Sequence, residues 1–336
     1  MEGVSVMKQT IKTLVEAYGP PGNESHIREL IMKEITGYVN EIRIDVLGNI
    51  IAHKKGSGKG KRIMFAAHMD EIGLIVTHID DKGFLRFSTM GGIHVHNLIG
   101  ARVRFASNVM GVIQSENLKS WKDVDIHKLY IDIGAPDKQS AAEKVRVGDA
   151  CMIEEPMLDL GQRIVAKSLD DRIGCAVAIH IMKELHNLEH ENDVYFVFTV
   201  QEEVGLRGAK TAAYDIHPDL GIAIDVTIAG DTPEPPKVDL YLGKGPAIKL
   251  KDVSMITSPI VKRLMIETAE KYQIPYQLEV LPYGGTDAGA IHLTKDGILS
   301  GCISIPCRYV HSPSEMVDLH DVENAVQLGL KLIEEF

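Results

Sequence analysis

Acids and imidazoles in this chain follow apolar runs. Ile63–Ala67 leads into His68-Met69-Asp70-Glu71, Val194–Val200 into Gln201-Glu202-Glu203, and Leu220–Ile224 into Asp225. Ile298–Ile305 leads into Pro306-Cys307-Arg308-Tyr309-Val310-His311-Ser312. A fifth group, Ser168-Leu169-Asp170-Asp171-Arg172, stands just before a long apolar-faced segment. Such runs suit strands buried on both faces, and in open α/β sheets ligands bind beyond the carboxyl ends of the strands. Four strands therefore deliver carboxylate or imidazole to one edge. Crowded carboxylates repel and cannot all ionise, and divalent cations remove that repulsion. His, Asp and Glu are the nitrogen and oxygen ligands that zinc accepts. A carboxylate shared by two metals makes a hydrolytic site about 3.5–4 Å across.

Taken singly, each group has a plainer reading. A lone His68 is most often a hydrogen-bonded structural histidine, but strand alternation puts His68 and Asp70 on one side. Glu202-Glu203 suits a helix start, and Asp170-Asp171-Arg172 a capping ion pair. Asp225, ending a buried strand, needs a partner. Other motifs are set aside. His94-Val95-His96 has the spacing of a metal pair but no acid near it in sequence, and reads as surface or structural. Gly284-Gly285-Thr286-Asp287 lacks the Lys-Ser/Thr of a phosphate loop and reads as a tight turn. The basic run at 54–61 reads as a solvated loop. Ser312 has no Gly-x-Ser-x-Gly elbow. Trp121, in a polar stretch, reads as a loop anchor. Arg207 and Arg308 read as ion-pair partners of nearby acids.

Periodicity points to the elements that must position these groups. Val6, Thr10, Ile11, Leu14, Val15 and Tyr18 recur at helical spacing, up to the stop at Gly19–Asn23. Ile27, Leu30, Ile31 and Ile35 mark a second helix, with Asn23 or Ser25 as its cap. Arg43–His53 reads as a strand broken at Leu47-Gly48-Asn49. From Ile72 to about Ile164 come short β runs with one helical stretch, Ser140–Lys144. From Asp171 onward helix and strand alternate: helices at Ile173–Leu188, Leu206–Tyr214, Pro259–Tyr272 and His320–Glu335, strands at Asp193–Val200, Leu220–Val226, Tyr276–Leu281 and Ile298–Ile305. The expected architecture is an α/β sandwich in two pieces, 1–71 and 165–336, with a β module at 72–164 inserted between them.

Composition narrows the function classes. The 336 residues carry a net charge of −11, a poor footprint for nucleic acid or anionic lipid. A membrane span needs about 18 consecutive apolar residues, and the sequence has no such run. The start, MEGVSVMKQT, lacks the basic-then-apolar order of a signal peptide. Cys151, Cys175, Cys302 and Cys307 form no Cys-x-x-Cys pair and read as buried thiols of a reducing cytoplasm. No nucleic-acid or membrane partner is expected.

The motifs together resemble the M42 family of metallo-aminopeptidases, the tetrahedral or deblocking aminopeptidases, sometimes labelled glutamyl aminopeptidase or endoglucanase. The resemblance runs through Gly19-Pro20-Pro21-Gly22 with Glu24, Asp45-Val46-Leu47-Gly48-Asn49, Ala67–Gly73, Leu169–Arg172, Gln201–Gly205, Ile224-Asp225-Val226, Gly284–Ala288 and His311–Glu315. It implies a zinc-exopeptidase-like α/β/α sandwich with an inserted small β-barrel dimerisation domain. It implies two divalent ions, zinc or cobalt, per subunit: His68 and Asp225 on one, Glu203 and His311 on the other, Asp170 bridging. Glu202 would be the general base, and the Asp70 carboxylate would orient His68. Substrates would be oligopeptides with a free N-terminus, the amine facing Glu202 or Asp225. Cytoplasmic dimers would close into a tetrahedral dodecamer. An N-acyl-amino-acid deacylase or a carboxypeptidase on the same scaffold has the same spacing. A glycosidase needs two carboxylates and no metal, leaving His68, Asp225 and His311 without a role. A metal-stabilised scaffold has no need of a second acid beside Glu203.

Overall fold

Four nearly all-apolar strands lie side by side and parallel at the centre of the molecule, whose computed structural model describes residues 2–234 and 237–336. In sheet order they are Asp193–Thr199, Arg62–His68, Leu220–Ile228 and Leu299–Arg308. Side-chain alternation sends successive residues to opposite faces, and here both faces are covered. Ile63, Phe65 and Ala67 pack with helices Glu2–Val15, Ser25–Ile35, Leu169–Leu185, Pro259–Lys271 and Leu319–Glu335. Met64 and Ala66 pack with helices Arg207–Ile216 and Asp287–Ile291. Each large apolar side chain fully buried this way contributes about 1.5–3 kcal/mol. Antiparallel strands extend the sheet on both sides. The hairpin Glu41–Ile44 and Ile50–Lys54 flanks one edge, and Glu315–Asp318, Arg163–Ala166 and Leu158–Asp159 the other. Asp45 holds the hairpin turn by accepting from Gly48 N and Asn49 N.

The inserted β module is a closed antiparallel barrel of six strands: Gly73–Ile79, Leu85–Met90, Leu129–Asp132, Met110–Ser115, Arg102–Phe105 and Ala150–Ile153. Closure leaves it no free edge, and Leu74, Val76, Leu85, Phe105, Ile113 and Ile131 fill its own core. The chain rejoins the large sheet at Leu158, before the boundary expected at 165.

Both crossings between sheet and barrel are tied to one buried acid. Glu71 accepts from Lys167 Nζ at 2.6 Å, from Ser168 Oγ, and from Gly19 N at 3.0 Å. Arg172 Nη2 is 3.5 Å away. Tyr18 adds a hydrogen bond from its hydroxyl to Ala150 O.

Some local expectations change. The second helix is entered at Glu24, whose carboxylate does not cap it but accepts from Gly22 N and Gln201 N, so neither Asn23 nor Ser25 is the cap. Trp121, 62% exposed, packs its ring on His96. Strand Ala247–Lys251 lacked a sequence signal because Lys249 and Lys251 interrupt its apolar residues. It is held between Leu299–Arg308 and Gln277–Val280. All four cysteines are buried and unpaired.

Candidate metal centre

The ladder between Arg62–His68 and Leu220–Ile228 stops at the pair Ala66–Ala223. Beyond it the two strands no longer share hydrogen bonds, and the site lies in this gap. His68 is the last residue of its strand. Asp225 is not at a strand end as expected: its strand runs on to Ile228, paired on its other side with Leu299–Arg308. Only the neighbour toward His68 has been lost, and that turns Asp225 toward the crevice.

The predicted ligands come together around Asp170. Its Oδ1 is 3.0 Å from His68 Nε2 and its Oδ2 is 3.2 Å from His311 Nε2. Glu203 Oε2 is 3.4 Å from His311 Nε2. Asp225 Oδ1 and Glu202 Oε2 stand 4.0 and 3.9 Å from His68 Nε2. One oxygen of Glu203, Oε1, is buried with no partner among the described residues. His68, Asp170 and Glu203 have ligand atoms close enough to hold one ion, as do His68, Asp171 and Asp225.

Backbone amides donated to buried acids hold this arrangement. Glu315, 1% exposed, accepts from His311 N at 2.7 Å and from Asp170 N at 2.9 Å, tying two ligand-bearing loops to one side chain. Asp171 accepts from His68 N at 3.1 Å and Gly174 N at 3.0 Å. Both its oxygens are thus engaged, which makes it a support more than a ligand. Asp70 accepts from Glu202 N at 3.0 Å and Glu203 N at 3.2 Å. Its carboxylate is 3.7 Å from His68 Nδ1, whereas its backbone carbonyl is 3.1 Å away. The expected support of His68 is therefore present, but it comes from the main chain of Asp70. Gln201 has φ of +55°, and the segment turns, sending Glu202 toward His68 and Glu203 toward His311.

Burial and like charge set the electrostatics. Desolvation, then repulsion from Asp225, Asp287 and Glu203, raises the Glu202 carboxyl well above its usual range. Desolvation and Asp170 do the same to Asp225. Asp70 is raised to about 7 by burial, against the pull of His68. Burial opposes charge on His311, but Glu203 and Asp170 outweigh it and push the imidazole up to about 12. Asp170, between two imidazoles, is lowered despite its burial. Without added cations the chain can keep these groups together only by holding protons on some acids and on both histidines. Cations would displace those protons, and the orphaned Glu203 oxygen, the imidazoles and the surplus of carboxylates fit divalent ions of the zinc type.

The ligands line a cavity of about 520 Å³. Its lining also includes Val226, Thr227, Ile228, Lys249, Leu281 and Tyr283, with Gly92 and His94 from the inserted β module. His94 is exposed, as a surface reading expects, and it also lines this cavity. The acids that accompany it are distant in sequence and are brought near by the barrel's packing. His96 does behave structurally, facing Trp121 O at 3.3 Å. Arg308 is an ion-pair partner as expected, with Nε and Nη2 both 2.7 Å from the Asp231 carboxylate. Arg207 instead donates to the amide oxygen of Gln201 at 2.9 Å. Gly284 (φ +76°) and Gly285 lie in an irregular segment that lines the cavity, and Asp287 then opens a short helix and accepts from Thr199 Oγ1. Sequence reasoning passed over Glu315 and Asp171 as supports, because accepting a backbone amide leaves no residue-type signature.

Parallel central strands with clustered imidazoles and acids at their carboxyl edge, beside the barrel, make an arrangement able to hold divalent ions. The pattern of the M42 glutamyl aminopeptidase family matches residues 48–328, and the chain belongs to that family. A protein of Acetivibrio thermocellus named as an aminopeptidase is 52% identical over 97% of this chain and 98% of its own. An aminopeptidase of the archaeon Desulfurococcus kamchatkensis superposes with a TM-score of 0.95 at 42% identity, over 99% of this chain and 95% of that one. The TET1 peptidase of Pyrococcus horikoshii, which can assemble into a tetrahedron or a large octahedral shell, gives 0.89 at 37% identity, over 98% and 100%. The chain is thus a peptide hydrolase of the aminopeptidase class, with the sandwich-plus-barrel fold of those enzymes.

Proposed function

We propose that the protein removes N-terminal residues from short peptides with two divalent ions bound per subunit. One observation carries this reading. The two oxygens of Asp170 face two different imidazoles, at 3.0 and 3.2 Å, as a carboxylate shared between two ligand sets must. His68 and Asp225 would hold one ion, Glu203 and His311 the other, with Asp170 between them. Bound zinc or cobalt would supply Lewis acidity and a water acidic enough to ionise near neutral pH.

The remaining work belongs to the chain's own side chains. Glu202 lines the cavity and coordinates nothing in this assignment, so it takes the proton from the attacking water and returns it to the leaving amine. Asp70 fixes the Glu202–Glu203 segment through two amides and His68 through its carbonyl, so base and ligands keep one spacing. The acid-rich cavity favours a protonated α-amine, with Glu202 or Asp225 as its partner, and disfavours an acetylated end. The barrel would form the dimer contact, and the assemblies of the Pyrococcus horikoshii relative support a closed homo-oligomer. Twelve chains of 37.0 kDa in tetrahedral symmetry weigh about 444 kDa; a cage would confine the substrates to oligopeptides.

Two assays test this. Chelation should abolish turnover, and zinc or cobalt should restore it; full activity after chelation refutes the reading. In a matched pair of peptides differing only in N-acetylation, only the free-amine member should be cleaved. Equal cleavage would move the function to a deacylase or an endopeptidase.

A further inference from the structure

The barrel also presents an imidazole to the cavity. His94 is exposed and lines the same space as His68, Glu202, Glu203 and His311. Among the described residues its one hydrogen bond is made by its carbonyl, which accepts from Asn97 N at 2.9 Å; its ring caps nothing. The loop carrying it is seated firmly. A Cβ on Gly92 would stand 2.9 Å from His311 Nδ1, and one on Gly91 (φ +87°) 2.9 Å from Glu203 Oε2. After His94 the chain enters the short helical turn Val95–Leu98, and Leu98 is buried in the barrel core. The loop thus packs against Glu203 and His311, and among the described residues the His94 ring makes no hydrogen bond.

We propose that His94 binds substrate, its ring N–H donating to a peptide carbonyl on the leaving side of the scissile bond. Thr227, Ile228, Leu281 and Tyr283 also line the cavity and would receive the first side chain. The rest of the peptide then passes beneath His94. An extended peptide presents carbonyl oxygens that need donors, and most donors lining this cavity are engaged: His68 and His311 face acids, and Thr227 donates to Glu279. The other nearby cation, Lys249, is already bound to Glu279. Among the described residues that leaves His94 and Tyr283 as the lining side chains with a free donor, and His94 stands in the inserted module, outside the ligand set.

The proposal rests on the peptidase reading, which wild-type turnover tests separately. The experiment compares His94→Ala and His94→Gln with wild type on a free-amine tripeptide and on the aryl amide of the same first residue, which has no carbonyl beyond the scissile bond. Metal content is measured alongside. One lost hydrogen bond should lower kcat/KM of the Ala variant on the tripeptide about 3–10-fold, chiefly through KM. The loss on the aryl amide should be clearly smaller, metal content should stay at the wild-type level, and Gln, which keeps an N–H, should recover part of the loss. Equal losses on both substrates, loss of metal, or a Gln variant no better than Ala would overturn it.

Discussion

Two clusters of buried charge lie only a few residues apart in sequence, and they are built on opposite terms. At the sheet–barrel junction Glu71 meets Lys167 and Arg172, all at most 2% exposed. The chain supplies its own cations there, and Gly19 N and Ser168 Oγ complete the set. At the carboxyl edge of the sheet, Asp70, Asp170, Asp171, Glu202, Glu203, Asp225 and Glu315 gather around His68 and His311, two groups that must take up protons to balance them. The first cluster is finished by folding; the second is finished only by something bound. Buried charge by itself therefore does not mark a functional site, and a deficit of countercharge does.

The largest effect should come from removing the base without touching the ligands. Glu202→Gln should lower kcat by about 10²–10⁴-fold with both metals retained, as read from metal content and steady-state rates. A variant that loses metal but stays active when metal is supplied in excess would reverse the assignments of Glu202 and Glu203. At the junction the expected damage is to stability. Glu71→Ala leaves Lys167 and Arg172 buried without their acid, costing about 3–5 kcal/mol in denaturant unfolding. A loss under 1 kcal/mol would show that the junction does not depend on this pairing.

Smaller effects sharpen the contrast. Glu315→Gln keeps the shape but can no longer accept both amides on like oxygens, so metal affinity should fall about 10–100-fold in competition titrations. Unchanged affinity would remove Glu315 as a support. Acidity should separate the metal-free and loaded forms. Asp70 rises from the ordinary 3.8 to about 7 and His311 from 6.5 to about 12 on folding. In both windows the folded metal-free chain holds a proton that the unfolded chain has released, so its stability falls as pH rises. Asp170, lowered instead, is ionised in both states above pH 5 and adds no slope. Tm of the metal-free protein should drop from pH 6 to pH 9, while the Tm gained on adding metal grows, since ions and protons compete for the ligands. A metal-free Tm that rises over this range would contradict the electrostatic account.

What sequence revealed and what it hid follow from the same physics. Apolar runs ending in acids exposed the four central strands, since a strand buried on both faces has almost no polar residues to spare. His68, Asp170, Glu203, Asp225 and His311 were legible because each stands at or near the end of such a run or helix. The manner in which they are held was not. The turn at Gln201, the main-chain support of His68 and the double role of Glu315 depend on loop geometry that no spacing rule encodes. His94 was hidden for another reason: it stands in the inserted module, and the packing of Gly91 and Gly92 against Glu203 and His311 brings its loop to the cavity.

The central claim is that this second cluster is a carboxylate-bridged site for two ions. Metal content by mass spectrometry, on the wild type and on Asp170→Ala, tests it most directly. The account predicts two ions per chain in the wild type and neither in the variant, with the variant still folded. A wild type that binds a single ion, or an Asp170→Ala variant that keeps one at full affinity, would contradict it.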